Sequence, residues 1–450
     1  MEKRISKICI FELFGMFNHE IPLHTTENIT ILHGQNGVGK TTILKIINAL
    51  FNGKLFSLFN YSFKILRVEF TNDEYIELEK NITDVEITGH RILKFRGSYF
   101  LKEIVISEKD YHMNHRVHYG VFEECLPFIE RIGPRTWFDR RMGARLNEMD
   151  IMEIYRDELA LFNIDTPNQK KNEKAIEQVR QVLKTVRTHF IQTQRLFDET
   201  KTTSSPNESK SKITIEKNAV DLAEKIKDAI RNSGVRSASL DRTFPSRILT
   251  KMNQDNIDDE YIRNKFTKQN DYRNRLMLSG LIDEEEGGNL LPGDKLDAHA
   301  LKVLWHYLND VDEKFEVYKD LLPKIELFLS IINSRFRYKK MSISKNEGFF
   351  FISDSGQSIP LKSLSSGEQH ELVLTYELIF KVPEKTLILI DEPELSLHVT
   401  WQQKFLTDIK RISQIANLDF IIATHSPSIV HEYRFLMEEI PSSIIEVYNV

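Results

Sequence analysis

A glycine-rich segment with one lysine and two threonines is the first stretch whose residue types could do chemistry. Residues 34–42 read Gly-Gln-Asn-Gly-Val-Gly-Lys-Thr-Thr and contain the spacing G-x-x-x-x-G-K-S/T. Glycines allow a tight turn whose N–H groups point at phosphate oxygens, and the following helix adds its positive dipole end. Lys40 is expected to reach the β- and γ-phosphates of a nucleotide, and the Thr41 hydroxyl to ligate Mg²⁺. The predicted phosphate-binding set is Gly34, Asn36, Gly37, Gly39, Lys40, Thr41 and Thr42.

The flanking elements supply the context that this loop needs. Ile29 to Leu32 form an apolar run that predicts a strand, and Ile43, Ile46, Ile47 and Leu50 then recur at helical spacing. A chance lysine in a glycine-rich turn would not require a strand before it and a helix after it, so the context favours the phosphate loop.

Two later strand-like runs end in residues that would complete such a site. Leu387 to Ile390 is a continuous apolar run, typical of a central parallel strand, and Asp391 and Glu392 follow it. Asp391 can hold Mg²⁺, and Glu392 can polarise an attacking water. Phe420 to Thr424 predicts another strand and delivers His425, for which we expect a γ-phosphate contact.

A Ser-Gly turn precedes a helical pattern in the last quarter of the chain. Ser365 and Gly367 lie in the segment Leu-Ser-Ser-Gly-Glu-Gln that opens this helix. The turn could bind an anion at the helix N-terminus, or its serine could simply cap the helix. The residues alone leave both interpretations open.

Composition limits the classes of protein that fit. The 450 residues are enough for two or three structural units, and 41% hydrophobic with 28% charged residues fits a soluble globular protein. A net charge of −5 argues against a whole-surface nucleic-acid binder, although a local basic patch remains compatible with it. Cys9 and Cys125 provide neither a disulfide framework nor zinc spacing. We therefore expect a reduced, cytoplasmic protein without a signal peptide or membrane span.

The chain divides into four predicted regions. We expect the domain that carries the phosphate loop to be formed by two parts of the chain, an N-terminal part at 1–130 and a C-terminal part at 336–450. Between them we expect a mixed segment at 131–196, which returns to this domain, and a helical insertion at 197–335. Short alternations between residues 5 and 108 predict antiparallel strands.

Several segments inside these regions carry more specific expectations. Residues 200–213 are polar and predict a flexible connection, and the helical pattern that follows is expected to break at 242–246. Residues 301–336 fit either a coiled coil split near Pro323 or an ordinary core helix. The arginines crowded between 131 and 145 fit either a solvated face or a basic patch.

Together, these motifs resemble those of ABC-type ATPases. Gly34 to Thr42, Leu364 to Gln369, Leu389 to Leu397 and Thr424 to Pro427 look like the Walker A, signature, Walker B with D-loop, and switch-histidine motifs. The resemblance implies an α/β head with a parallel sheet core, an antiparallel β lobe and a helical, partly coiled-coil insertion. It also implies ATP and Mg²⁺ as ligands, and a head-to-head dimer. Ser365 and Gly367 of one head would then contact the γ-phosphate bound at the other.

The resemblance leaves the glutamine of the Q-loop less defined. No glutamine occurs between Gln35 and Gln169. Gln194 follows the strand-like Phe190-Ile191 and is our candidate, with an ordinary surface glutamine as the alternative.

A finer resemblance is to the OLD/RecF-like group, including stand-alone ATPases of anti-phage systems such as PARIS, Septu and some retrons. It rests on Phe190 to Leu196, Leu240 to Pro245 and Ile390 to Trp401. OLD nucleases carry a C-terminal TOPRIM domain, for which we expect no room after His425. Asp310 and Asp312 look superficially like a metal pair but sit in a helical pattern, where we expect them at the surface. The resemblance therefore implies a separate effector, most like the TOPRIM nuclease of PARIS, and a phage-encoded trigger protein.

Two function classes follow from these resemblances. The first is a defence sensor, an ATPase scaffold that holds an effector and releases it. The second is a RecF-like or chromosome-maintenance ATPase that clamps DNA, which would bind duplex DNA in a salt-dependent manner. A transporter ATPase fits less well, because its compact subunit has no insertion of this size.

Overall fold

The fold was obtained as a computed structural model, which describes residues 4–83, 90–107, 121–133, 136–140, 144–147, 150–151, 155, 173–192, 210–250, 258–283, 291, 296–395 and 399–441. The strands are β1 (Ile5–Leu13), β2 (Phe17–Pro22), β3 (Ile29–His33), β4 (Ile65–Phe70), β5 (Tyr75–Thr83), β6 (His90–Gly97), β7 (Ile104–Ser107), β8 (Ile129–Gly133), β9 (Thr136–Asp139), β10 (Ala144–Asn147), β11 (Arg187–Gln192), β12 (Lys339–Ser344), β13 (Gly348–Ser353), β14 (Ser358–Ile359), β15 (Thr386–Asp391), β16 (Asp419–Ala423) and β17 (Met437–Glu439). The α-helices are α1 (Lys40–Phe51), α2 (Val121–Cys125), α3 (Glu173–Leu183), α4 (Lys210–Thr250), α5 (Asp259–Leu278), α6 (Ala298–Phe315), α7 (Leu321–Arg335), α8 (Ser366–Tyr376), α9 (Val399–Ala416) and α10 (Pro427–Val430).

A parallel sheet in the order β11-β15-β16-β3-β17 forms the centre of the head. Leu387 and Leu389 of β15 join the hydrophobic cluster on one side of the sheet, whereas Ile388 and Ile390 join the cluster on the other. Because both faces are buried, the strand is apolar throughout, as the sequence predicts. The predicted α/β head is thus confirmed, and its parallel strands bring their carboxyl ends to a common edge.

An antiparallel sheet in the order β2-β1-β4-β5-β6-β7 packs beside the central sheet. Its inward residues, among them Ile8, Val68 and Phe95, share one cluster with Ile43 and Leu50 of α1. The predicted antiparallel lobe is therefore present. The part of this prediction that fell on residues 84–89 lies outside the described residues.

A smaller antiparallel sheet, β10-β9-β8, carries the arginine-rich segment. Asp139, which stands among these arginines in the sequence, is fully buried and accepts a hydrogen bond from the Tyr155 hydroxyl. The alternation of β9 puts Asp139 on the same inward face as Trp137. Arg140 is exposed, and its guanidinium lies 2.9 Å from Glu130. Two of the other arginines, at 135 and 141, lie outside the described residues.

Helix α4 corrects two expectations about the insertion. The helix already begins at Lys210, inside the segment predicted to be a flexible connection, and it continues through Pro245, where a break was predicted. Proline removes a backbone donor, which leaves carbonyls of the preceding turn without their helical partners. The missing N–H of Pro245 would have paired with the Asp241 carbonyl. Side chains bond the carbonyl just before it, because the Arg247 guanidinium donates to the Leu240 carbonyl at 2.9 Å and the Thr243 hydroxyl donates to it at 3.1 Å. Residues 200–209 lie outside the described residues.

The two carboxylates of the Asp310–Asp312 pair differ in burial, since Asp312 is exposed and Asp310 is not. Asp310 is 5% exposed, and both of its oxygens bind the Arg247 guanidinium, at 2.5 and 2.7 Å. The carboxylate of Asp312 lies 2.8 Å from the Lys265 ammonium. These carboxylates therefore join α6 to α4 and α5, and the expectation of a surface position is wrong for Asp310.

Helix α7 belongs to the core of the head. Its residues Leu322, Ile325 and Phe328 are fully buried in the cluster that contains β15. The predicted split occurs before Pro323, at residues 316–320, so the proline lies in the first turn of α7. Proline is tolerated there because the first N–H groups of a helix have no intrahelical acceptor. None of the described helices combines the length and apolar character needed to cross a bilayer.

A buried ion triad connects α7 to the two helices beside it. The Arg335 guanidinium of α7 binds the carboxylates of Glu371 in α8 and Asp408 in α9. The Thr375 hydroxyl also donates to Glu371, at 3.2 Å. Burial lowers the pKa of Arg335, an effect opposed by the charge of Asp408. The triad thus fixes the helix that follows the Ser-Gly turn against the core.

Replacement of Arg335 by methionine is expected to destabilise the fold by about 3–5 kcal/mol, because two carboxylates would be left buried without their cation. Urea-induced unfolding measures the change as a lower midpoint. The matched control is Arg275→Met, since the Arg275 guanidinium also binds a carboxylate, Glu326 at 2.6 Å, but is half exposed. The control should lose only about 0–1 kcal/mol. Equal midpoints for the two variants would contradict the expectation.

Candidate active site

The phosphate loop joins β3 to α1 in a conformation that requires glycine at three positions. Gly37 and Gly39 have φ angles of 89° and 98°, which residues with side chains rarely adopt. A Cβ atom at Gly34 would lie 2.9 Å from the Ile440 carbonyl oxygen, so that position is closed by a neighbouring backbone. The local backbone therefore explains why glycine is needed at each of these three positions. Asn36 is exposed in the loop, and Thr42 lies half-buried in the first turn of α1.

The Lys40 side chain folds over this loop. Its ammonium donates to the carbonyls of Gly34 at 2.8 Å and Gln35 at 3.0 Å, and it lies 3.5 Å from Nδ1 of His425. Burial lowers the pKa of Lys40, and the charges of Glu392, Asp391 and Glu394 oppose that shift. The lysine is thus a buried residue that contacts the phosphate loop and His425 and feels the charge of three carboxylates.

The two predicted Mg²⁺ ligands meet at the edge of the sheet. The Thr41 hydroxyl donates to Asp391 at 2.9 Å, although 350 positions separate the two residues in the chain. Burial raises the pKa of Asp391, while the bond from Thr41 acts in the opposite direction. A hydroxyl and a carboxylate are hard oxygen ligands of the kind that Mg²⁺ takes from proteins before phosphate and water complete its shell.

Glu392 and His425 follow adjacent strands and reach the same region. β15 and β16 are parallel with Asp391 opposite Ala423, and the Glu392 N–H donates to the Ala423 carbonyl at 2.8 Å. Glu392 has a φ angle of 48°, which turns the chain sharply at the strand end. Burial and the charge of Lys40 lower the pKa of His425, which favours its neutral imidazole.

The end of β11 bears on which residue is the glutamine of the Q-loop. Gln194 lies outside the described residues, so its role stays a prediction. Gln192 is the last residue of β11, and its backbone lies opposite Asp391 in the parallel register. Gln192 therefore also lies at a strand end beside the site. The sequence pattern alone could not show whether residue 192 or residue 194 ends the strand.

The Ser-Gly turn forms the N-terminus of α8. The Ser365 hydroxyl accepts from the Glu368 N–H at 3.4 Å while Glu368 accepts from the Ser365 N–H at 2.9 Å, which makes a capping box. The capping interpretation is thus confirmed. Among the described residues, no hydrogen bond or ion pair joins Ser365 or Gly367 to the phosphate loop of the same chain. Gly367 faces open space, because a Cβ placed there would meet nothing within 4 Å.

One carboxylate near the site was missed at the level of sequence. Glu394 accepts hydrogen bonds from the Thr424 hydroxyl and the His425 N–H, at 2.8 and 2.9 Å. The sequence feature that could have indicated Glu394 is its position two residues after Glu392, in the turn that follows β15.

Comparison with known protein families agrees with this geometry. A family model described as AAA ATPase domain matches residues 5–430. The chain belongs to the AAA ATPase domain family. Membership of this family implies a nucleotide site, and the matched range of the AAA ATPase domain includes the phosphate loop, Asp391, Glu392 and His425.

Two curated proteins resemble part of this AAA ATPase domain chain. The Retron Vc95 probable ATPase of Vibrio cholerae is 27% identical over 171 residues, which are 34% of this chain and 30% of that protein. The Retron Ec83 probable ATPase of Escherichia coli is 25% identical over 191 residues, which are 40% of this chain and 34% of that protein. The chain thus spans about a third of the length of these relatives.

This chain also aligns with a solved structure, the Smc head domain of Pyrococcus furiosus. That structure has an extended coiled coil and is bound to the C-terminal domain of ScpA. The alignment covers 95% of this chain and 91% of that one, at 12% identity and a TM-score of 0.33.

Proposed function

We propose that this chain binds and hydrolyses ATP with Mg²⁺. The observation that carries the proposal is the 2.9 Å hydrogen bond between Thr41 and Asp391, since it joins the start of α1 to the end of β15. Lys40 would bind the β- and γ-phosphates, and Thr41 with Asp391 would hold Mg²⁺. The metal would neutralise charge that develops on the phosphate oxygens during hydrolysis.

Glu392 and His425 take the remaining roles in this proposal. Glu392 would accept a proton from the attacking water, because its carboxylate follows Asp391 at the edge of the site. Burial and the charge of Lys40 lower the pKa of His425, and the imidazole would donate one ring N–H to the γ-phosphate. Both residues would thus act on the bond that is cleaved, whereas Lys40 and Thr41 hold the nucleotide.

We further propose that two heads enclose the nucleotide. The start of α8 supports this step, because its capping box holds Ser365 and Gly367 in a defined, solvent-facing turn. Helix N-termini bind anions through their free N–H groups and dipole. Ser365 and Gly367 of one head would therefore complete the phosphate site of a second copy.

The biological role that we propose is anti-phage defence. The chain would be the sensor and scaffold that holds a separate effector nuclease and releases it when a phage trigger is met. The support is the partial similarity to two retron probable ATPases. A TOPRIM nuclease as effector, as in PARIS, and the phage-encoded trigger remain proposals carried by the resemblance of the motifs.

Substitution of Gly367 by arginine tests the dimer. The variant should still bind ATP, because Gly367 is not part of its own phosphate loop, but the long cation would block the second head. In a Glu392→Gln background with ATP and Mg²⁺, mass-resolved size exclusion should show a dimer without the arginine and a monomer with it. Gly234→Arg is the matched control, since Gly234 is also helical and a Cβ there also meets nothing within 4 Å. A dimer in the Gly367→Arg variant would contradict the proposed arrangement.

Co-expression with the products of neighbouring genes tests the biological role in the same experiment. A second protein that elutes with the Glu392→Gln dimer supports the sensor and identifies the effector. A bare dimer that binds duplex DNA, with affinity falling steeply as salt rises, would instead support a DNA clamp.

A further inference from the structure

The turn after β15 is bonded to the loop that carries His425. Oε2 of Glu394 accepts from the Thr424 hydroxyl at 2.8 Å, and Oε1 accepts from the His425 backbone N–H at 2.9 Å. One carboxylate therefore holds two consecutive residues at the carboxyl end of β16.

A second connection joins the same turn and loop. The side-chain amide of Gln402 in α9 donates to the Glu394 carbonyl at 3.2 Å, and its oxygen accepts from the Ser426 hydroxyl at 3.1 Å. Thr424 is fully buried, and its N–H donates to the Leu32 carbonyl at 3.2 Å. Each of the residues 424, 425 and 426 is thus held by at least one hydrogen bond to Glu394 or Gln402.

The position of the His425 backbone determines where its ring meets the phosphate loop. Nδ1 of His425 lies 3.5 Å from the Lys40 ammonium. The charged and titratable groups that face this ring are Lys40, Glu392, Glu394 and His33. A small movement of the loop would change the distance between the ring and a bound γ-phosphate. Misplacement by about 1 Å can lower a rate by about 100-fold.

The two glutamates of the acidic turn are in different situations. Both oxygens of Glu394 already accept hydrogen bonds from the loop. Glu392 directly follows Asp391 at the end of β15, and its backbone N–H donates to the Ala423 carbonyl at 2.8 Å.

We propose that Glu394 is a positioning residue that fixes the backbone of His425 against the phosphate loop, while Glu392 acts on the water. This inference rests on the proposed ATP hydrolysis. It separates two acidic residues that lie two positions apart in the sequence, and it gives the second one no proton-transfer step.

A comparison of glutamine and alanine at position 394 tests this assignment. In Glu394→Gln the amide oxygen can still accept from the His425 N–H, and the Thr424 hydroxyl can turn to accept from the amide NH₂, because a hydroxyl both donates and accepts. We expect kcat within about threefold of wild type for Glu394→Gln, and a loss of about 10- to 100-fold for Glu394→Ala with little change in KM. Similar, severe losses in both Glu394 variants would overturn the positioning role, and they would make Glu394 the base if Glu392→Gln hydrolyses ATP at the wild-type rate. Full activity in Glu394→Ala would remove the positioning role.

A spectroscopic measurement separates this inference from the proposed hydrolysis. In histidine-labelled protein without nucleotide, the His425 ring resonance is assigned from its absence in His425→Gln. It should move further in Glu394→Ala than in Glu394→Gln, because both variants remove the charge of Glu394 but only alanine removes the hydrogen bonds to the loop. An unmoved resonance in Glu394→Ala overturns the inference whether or not the protein hydrolyses ATP.

Two further variants complete the design. Glu326→Ala is the matched control, because both oxygens of Glu326 also accept from donors, those of Arg275 at 2.8 and 2.6 Å, away from the site. It should leave kcat and the His425 resonance unchanged. If Glu394→Ala does not fold, Thr424→Val removes one of the two donors and should move the same resonance to a smaller extent. An unmoved resonance there would also overturn the inference.

Discussion

Replacement of Lys40 by alanine is expected to raise the dissociation constant for ATP by at least about 100-fold. Charge-assisted hydrogen bonds contribute about 1.5–3 kcal/mol each, and Lys40 would make them to two phosphates. The lysine is 5% exposed, so water does not replace its ammonium easily. Equilibrium titration with a fluorescent ATP analogue measures the loss directly.

The control for this variant has to separate binding from folding. Lys40 also donates to the Gly34 and Gln35 carbonyls, so its replacement removes two hydrogen bonds within the phosphate loop as well. Lys54→Ala, just after the same helix, should bind ATP as wild type does. Thermal unfolding with ATP provides an independent reading, because a ligand at 100 times its dissociation constant stabilises by about 2.7 kcal/mol. That stabilisation should disappear in Lys40→Ala, and wild-type affinity in the variant would refute the nucleotide site.

Replacement of Glu392 by glutamine is expected to preserve ATP binding and to slow hydrolysis by about 100- to 10,000-fold. Glutamine keeps the shape of the side chain but cannot accept a proton from water, and general-base catalysis contributes a factor of this size. The backbone bond from Glu392 to Ala423 does not depend on the side chain, so the turn should persist. Single-turnover release of phosphate separates the chemical step from product release.

Glu384→Gln is the control for this second variant, since Glu384 is an exposed glutamate shortly before the same strand. It should hydrolyse ATP at the wild-type rate. Unchanged turnover in Glu392→Gln would exclude Glu392 as the base, and together with a severe loss in Glu394→Gln it would move that role to position 394.

The core of the site could be predicted because its chemistry is local or follows from strand ends. The phosphate loop needs a strand, glycines and a helix within a short segment, and all of these are visible in residues 29–51. Asp391 and His425 could be placed because each follows a buried parallel strand, whose carboxyl ends share one edge. The capping role of Ser365 was also foreseeable, since Glu368 stands three residues later.

The remaining features depend on partners that are distant in sequence. Asp310 is buried because Arg247 binds it, and a helical pattern does not show which face a distant arginine covers. Helix α4 continues through Pro245 with two side chains bonded to the Leu240 carbonyl in the preceding turn, an arrangement that local preferences do not reveal. Glu394 became visible only when Thr424 and His425 were placed against it.

The alternation of β15 between two hydrophobic clusters has a consequence for how the protein loses its structure. Leu389 and Ile390 are adjacent in the chain but belong to opposite sides of the sheet. Local unfolding on either side would expose one apolar face of the strand that ends in Asp391 to water. We do not expect the strand to stay ordered in that state. Unfolding of either of these two clusters is therefore expected to disorder Asp391, so the predicted Mg²⁺ site should be lost together with either side of the central sheet.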